Sequence, residues 1–171
     1  MIKSLSIIFP VYNEALRLKS SFSHILSFLK EKKFLKIEII FVNDGSNDKT
    51  QVLINKFIRD FKNLKKNNKI KIKIISSKNN SGKGSALKLG VKKAKYDWIL
   101  TADIDMSVSL FQFSNWLEKK LINSKYVVYF GSRAHKRSVV KRNFFRNILG
   151  NTMRFLVTTI LDIAIKDTQC G

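Results

Sequence analysis

An α/β fold with a mostly parallel central sheet and helices on both faces is predicted for this chain by three observations. Short apolar runs rich in β-branched residues alternate with longer stretches whose apolar residues recur every three or four positions. Each apolar run ends in polar punctuation, as a parallel strand does where the chain leaves the sheet. Hydrophobic residues fill 44% of 171 positions, enough for a buried core and more than a disordered chain carries.

The elements follow in order. "LSIIFPV" at 5–11 reads as the first strand, with Pro10 where it should end. Leu16, Phe22, Ile25, Leu26 and Leu29 then mark a helix. "IEIIFV" at 37–42 is a second buried strand, after which Asp48 or Ser46 caps a helix carrying Val52, Leu53, Phe57, Ile58 and Phe61. "KNLKKNNK" at 62–69 reads as a surface loop, and "IKIKIIS" at 70–76 as a third strand. "KGSALKLGVKKA" is helical, "YDWILTAD" a fourth strand and "LFQFSNWLEKKL" a helix. "YVVYFGS" at 126–132 is a fifth strand, followed by the long apolar helical segment 143–165. No repeat or linker interrupts this order, so 1–171 is read as one domain, and its abrupt end at "KDTQCG" is expected to be a truncation.

Charge narrows the function. Lys and Arg number 33 against 12 Asp and Glu, a net charge of +21, which attracts nucleic acid, anionic headgroups or phosphorylated substrates. A joint bias to Lys, Asn, Ile and Phe is also what AT-rich coding produces. No apolar run reaches the roughly 18–20 residues that span a bilayer. The apolar start is broken by Ser4 and Ser6 and lacks a small-residue cleavage site, so it reads as a strand, not a signal peptide. A single cysteine, Cys170, excludes an intrachain disulfide and fits a reducing compartment.

In sheets of this class, ligands bind beyond the carboxyl ends of the strands. The punctuation should therefore converge on one crevice. It comprises Tyr12, Asn13 and Glu14; Asp44, Gly45 and Ser46; residues 79–83; Asp103 and Asp105; and Gly131, Ser132 and Arg133. In an extended segment Asp103 and Asp105 share one side, about 7 Å apart. Two like charges there repel unless a cation sits between them. Acids facing a crevice in a basic chain suit Mg2+ or Mn2+, which take one or two carboxylates and fill the rest with phosphate oxygens. Two acids at a solvated strand end are also ordinary.

"NNSGKGSA" at 79–86 offers backbone N–H groups, a helix N-terminus and Lys83 to a diphosphate. The same text is a plain loop-to-helix cap and lacks the GxxxxGK[ST] spacing. "FGSR" joins a glycine that permits close approach to an arginine, Arg133, suited to a phosphate. There is no HExxH and no Cys/His cluster. His24 lies in a helical pattern and His135 in a basic loop, so zinc catalysis and a Ser–His–Asp triad find no support.

Taken in order, "SIIFPVYNEALRL", "EIIFVNDGSNDKT", "NNSGKGSALKLGVKKAKYDWILTADIDMS", "FGSR" and "DTQCG" resemble glycosyltransferase family 2, nearest its dolichyl/polyprenyl-phosphate glucosyltransferases. The resemblance spans essentially the whole chain. It implies a GT-A fold, the Rossmann-like nucleotide-diphospho-sugar transferase architecture, and a metal-dependent, inverting hexosyl transfer. It implies that Pro10, Tyr12 and Glu14 help hold the nucleotide, that Asp44 sits against the base, and that Lys83 lies near the base–phosphate region. Asp103 and Asp105 match the family's DxD pair, with Asp105 favoured as the direct metal ligand and Asp103 contacting ribose or metal. Asp167 matches a late aspartate near the reacting centre, and Arg133 is placed on a phosphate.

Mannosyl members carry a glutamine after the paired acids and "DPTSG"-like text. Neither is found here, which favours glucose and UDP over mannose and GDP. The implied cofactor is Mg2+ or Mn2+, and the implied partners are a nucleotide-sugar donor, a polyprenyl phosphate and an anionic membrane at its cytoplasmic face. For the membrane contact, Arg133, Lys136, Arg137, Lys141, Arg142 and Arg146 precede or interleave with Phe144, Phe145, Ile148 and Leu149, so 135–149 reads as interfacial. Residues 152–165 read as a core helix. The competing expectations are a family 2 enzyme using GDP-mannose or a sugar hydroxyl and, more remotely, a basic nucleic-acid-binding protein.

Overall fold

The computed structural model describes residues 2–31, 34, 36–64, 69–122 and 128–131. The chain divides into two compact units, Met1–Leu121 and Ile122–Gly171. The first holds strands β1 (Ser4–Val11), β2 (Lys36–Asp44), β3 (Ile70–Ser77) and β4 (Ile99–Thr101). Between and after them come helices α1 (Leu18–Lys30), α2 (Thr50–Leu64), α3 (Lys83–Lys93) and α4 (Leu110–Glu118). In the second unit, residues 128–131 carry no strand, so the fifth predicted strand is not formed there. Its residues 126, 127 and 132 lie outside the described residues, as do the helical segment at 143–165 and the basic stretch at 135–149.

All four strands are parallel, in the order β3-β2-β1-β4. β1 pairs with β2 from Ser4–Lys36 to Val11–Asn43, and β2 with β3 from Ile37–Ile70 to Asp44–Ser77. The carboxyl ends of these three strands therefore lie level. β4 is shorter than predicted and pairs only Ile99–Thr101 with Ser6–Ile8. Pro10 lies within β1, not at its end. Even-numbered residues of β1 bond towards β4, as the Ser6 N–H to Trp98 O and Ala102 N–H to Ile8 O contacts show. At Pro10 the next such donor would face a level that β4 has already left, so proline's missing N–H costs the sheet nothing.

The sheet is covered on both faces, which is why its inner strands β1 and β2 are buried almost throughout and mostly apolar rather than alternating. Ile8, Ile40 and Val42 pack with Ala86 of α3 on one face. Their neighbours in sequence point the other way. There Phe9 stacks on Phe41 at 5.6 Å, and Phe22 of α1 stacks on Phe57 of α2 at 4.1 Å. Close approach of α3 requires Gly90, since a Cβ there would lie 2.5 Å from Ile8 Cγ2. In α1 the buried stripe is Leu18, Ser21, Ile25, Phe28 and Leu29. Leu16, predicted to belong to it, precedes the helix and is 99% exposed.

A buried carboxylate lies in the middle of the sheet. Glu38 is buried and accepts from the Ser6 hydroxyl at 3.0 Å and the Lys95 N–H at 2.9 Å, with Lys73 Nζ at 2.9 Å. Burial is the largest single influence on its carboxyl and opposes ionisation. The Lys73, Lys95 and Ser6 contacts together outweigh it and hold the group below its ordinary value of 4.5. The unfolded chain thus binds this proton more readily, so the stabilisation is complete above about pH 4.5 and lost as pH falls through the folded value. Thermal melts taken from neutral to acid pH should show that loss. Glu38→Gln should flatten this part of the profile and cost about 1–3 kcal/mol at neutral pH, by leaving Lys73 without its charged partner.

Candidate active site

The strand order creates a switch point. From β1 the chain steps to β2 and β3 on one side, then returns to place β4 on the other side of β1. Open α/β sheets bind ligands outside the carboxyl ends of the strands that flank such a point. Here those strands are β1, followed by Tyr12, Asn13 and Glu14, and β4, followed by Asp103, Ile104 and Asp105.

The loops at this edge are tied to one another through side chains. Asn13 and Glu14 donate their N–H groups to Ser46 Oγ at 3.0 Å and Thr50 Oγ1 at 2.8 Å. Ala15 N–H donates to Asp48 Oδ2 at 3.1 Å, while Asp48 Oδ1 accepts from Thr50 N–H at 2.9 Å at the start of α2. Of the two cap candidates, Asp48 serves α2 and Ser46 serves the loop after β1. Burial acts against ionisation of Asp48, but the Thr50 and Ala15 hydrogen bonds prevail and lower its pKa.

Asp44, only 3% exposed, accepts from Ser81 N–H at 3.0 Å and Gly82 N–H at 2.7 Å. It thereby fixes the loop that leads into α3 and aims Lys83 at the crevice. Gly45 lets this loop close: its φ is +73°, and a Cβ would stand 2.6 Å from the Asn79 carbonyl carbon.

Lys83 Nζ reaches Asp103 Oδ1 at 2.6 Å, joining the third and fourth strand ends. Asp103 and Asp105 are not in an extended segment. β4 stops at Thr101, and the chain turns so that Met106 N–H bonds Asp103 O at 3.1 Å with Met106 at φ +56°. The same-side argument for the two acids thus fails. What separates them is Ile104, which is 2% exposed and anchors the turn in the core. Its carbonyl accepts from the Ser21 hydroxyl of α1. Asp105 is exposed and accepts from Ser107 N–H at 2.9 Å.

Arg17, which the motif reading passed over, enters here. Its Nη1 lies 2.8 Å from Glu14 Oε2. That hydrogen bond and the Glu14 charge raise its pKa, burial works slightly against them, and the charge of Asp105 adds to the rise. Its position three residues after Glu14, at the entry to a helix, was the available signal.

Pro10, Tyr12, Glu14, Asp44, Lys83, Asp103 and Asp105 thus stand on the same edge of one sheet. Tyr12 is half exposed at the rim. Arg133 and Asp167 lie outside the described residues. Among the described residues no three His, Cys, Asp or Glu side chains cluster as a metal cage. The donors present are carboxylate oxygens with about four lone-pair positions each, so neither Asp103 nor Asp105 is exhausted by its contacts. His24 is placed elsewhere and accepts from Leu110 N–H at 3.3 Å at the start of α4. A cavity of about 310 Å3 lined by Phe61, Lys62 and residues 70–73 lies at the opposite end of β3 and touches none of these loops. No described helix is long and apolar enough to cross a membrane.

A parallel sheet whose switch-point loops carry acids after β1 and β4, with a lysine at the start of α3, is that of a GT-A nucleotide-sugar transferase fold. A mannosyltransferase from Pyrobaculum calidifontis, solved with GDP-Man and Mn2+, shares this fold at a TM-score of 0.51 and 20% identity, over 61% of this chain and 28% of its own. The model of glycosyl transferase family 2 matches residues 6–164, and the chain belongs to that family. A protein of Dictyostelium discoideum named dolichyl-phosphate beta-glucosyltransferase is 36% identical over 98% of this chain and 52% of its own length. A human protein of the same name is 34% identical over 99% of this chain and 53% of its own. The chain spans about half the length of these curated relatives.

Asp44→Asn replaces an acceptor facing two N–H donors with an amide that must turn its own donor away. We expect a cost of about 1–3 kcal/mol and faster hydrogen exchange at Ser81 and Gly82, with the α2 amides unaffected. Unchanged exchange at those two positions would show that Asp44 does not hold the loop.

Proposed function

We propose that this chain transfers glucose from UDP-glucose to dolichyl phosphate or a related polyprenyl phosphate, with inversion and with help from Mg2+ or Mn2+. The observation that carries this reading is the placement of Glu14, Lys83, Asp103 and Asp105 on the loops at the switch point of a family 2 chain. The names of the relatives support the acceptor, and the absence of mannosyl-type text supports the donor.

Asp105, with Asp103, would hold the divalent cation. A hard ion fits their oxygen-only donor set, with diphosphate oxygens completing its shell. Bound there, it would supply Lewis-acid stabilisation of the charge developing on the departing diphosphate. Pro10, Tyr12 and Glu14 would orient the nucleotide, and Asp44, bonded to the Ser81 and Gly82 N–H groups, would hold the loop against which the base is proposed to lie. Lys83 would place positive charge beside the phosphates, and Arg133, outside the described residues, keeps the phosphate-binding role proposed for it from its sequence. An oxygen of the acceptor phosphate attacks the anomeric carbon as the bond to UDP breaks, so one displacement inverts that carbon. A phosphate monoester has its second pKa at about 6 and is already mostly ionised at neutral pH, so no activated histidine is required. Asp167 then positions the acceptor or takes its residual proton.

The basic and aromatic sequence at 135–149, which lies outside the described residues, is proposed to meet anionic lipid at the cytoplasmic membrane face. Its charge is complementary to anionic headgroups.

The deciding assay offers labelled UDP-glucose or GDP-mannose with dolichyl phosphate, with and without Mn2+ or Mg2+. Lipid-linked glucose formed only with metal is the expected result; transfer from GDP-mannose alone would replace the donor assignment. Asp105→Asn should lower turnover at least about a hundredfold with an unchanged melting temperature, and near-normal turnover would remove it from the site. Vesicles of anionic lipid should carry the protein upward in flotation at low salt and release it at high salt. Neutral vesicles should not.

A further inference from the structure

One of the acids proposed to hold metal already has cationic company from the chain itself. Lys83 Nζ lies 2.6 Å from Asp103 Oδ1, and this ammonium is anchored only by a flexible stem that is 54% exposed. The Arg17 guanidinium nearby is tied to Glu14 at 2.8 Å. The backbone beneath these groups is fixed. Asp44 holds the loop before Lys83, and Ser21 holds the Ile104 carbonyl between the two acids. The carboxylates are therefore set in place, while the cations facing them sit on long side chains that can swing without disturbing the fold.

A divalent ion approaching Asp103 meets an ammonium at the oxygen it needs. Coulomb repulsion between the two disfavours their sharing one carboxylate. A diphosphate resolves the conflict, because it brings the ion oxygen ligands and offers the displaced ammonium an anion of its own.

Resting on the assignment of Asp103 and Asp105 as the metal pair, we propose that Lys83 is a resident counter-ion. It passes from Asp103 to a phosphate oxygen when a nucleoside diphosphate arrives, so that metal binds together with the diphosphate rather than before it. Arg17 plays the parallel part at Glu14 and becomes a second phosphate contact. No bond is made or broken in this exchange; charge is only re-paired. The site thereby avoids holding a bare divalent ion, and an empty crevice avoids unbalanced acids.

The test reads metal binding, not turnover. Mn2+ is titrated into the full-length protein with and without UDP, and free Mn2+ is followed by its paramagnetic resonance signal. Wild type should bind Mn2+ weakly alone and at least about tenfold more tightly with UDP, a difference set by the exchange of one charge pair at a half-exposed site. Lys83→Met should bind Mn2+ alone several-fold more tightly than wild type, yet gain much less from UDP. Lys83→Arg keeps the charge and should behave as wild type. Arg17→Met should shift both measurements in the same directions as Lys83→Met, by less.

Equal Mn2+ affinity with and without UDP in wild type would overturn the exchange, as would a Lys83→Met variant that binds Mn2+ alone no better than wild type. Failure of every form to bind Mn2+ under either condition would instead overturn the metal assignment on which the exchange rests. Circular dichroism of the Lys83→Met protein, expected to match wild type since the residue is exposed, separates these outcomes from misfolding.

Discussion

The pairing of β1 between β2 and β4 is the constraint on which the rest of the structure depends. Because the strands are parallel and in phase, every chain that leaves them does so at one edge. β1 is apolar on both faces, so a slip of one residue would exchange Ile8 and Phe9 between two differently shaped cores. The register is therefore held by packing on each side, and the loop positions follow from it. A displacement of β4 by one residue along β1 would move Asp103 about 3.3 Å from its partners, more than the tolerance of an ion pair.

The acidic side chains of this basic protein fall into two kinds of use. Glu38, Asp44 and Asp48 accept N–H groups from elsewhere in the chain, and these contacts hold the sheet and the loops. Glu14, Asp103 and Asp105 stand at the switch point, where Glu14 meets Arg17 and Asp103 meets Lys83. The first group makes the second possible. Asp44 fixes the loop before Lys83, and Ser21 with the buried Ile104 ties the turn bearing Asp103 and Asp105 to the core. Preorganised backbone with mobile cationic side chains is a combination suited to binding a charged ligand whose own charge changes as it reacts.

Much of this was legible in the sequence, for a physical reason. Parallel strands buried on both faces must be continuously apolar, and the chain must turn where they end, so "IIFPV" and "IEIIFV" and their polar sequels mark both strand and loop. The placement of Asp103 and Asp105 beyond the fourth strand followed from the same pattern. Their conformation did not. The same-side argument assumed an extended chain, whereas β4 is three residues long and Ile104 is drawn into the core. Leu16 was mistaken for the first member of the α1 stripe because spacing alone cannot distinguish a residue just before a helix from one inside it. Arg17 was missed since an i, i+3 ion pair on a surface is common and carries no signal until its surroundings are known.

The sequence by itself determined the alternation of strands and helices, the residues of the inner sheet and the loops that bear the polar groups. These depend on periodicity and on local turn chemistry, both of which are written in neighbouring residues. Only the tertiary structure decided the strand order, and with it the switch point that sets Glu14 beside the Asp103 turn. It alone joined Asp44 to Ser81, Ser21 to Ile104 and Lys83 to Asp103. Those partners are 20 to 83 residues apart, and which of many lysines meets which aspartate is fixed by packing of the whole sheet, a property no local stretch of sequence contains.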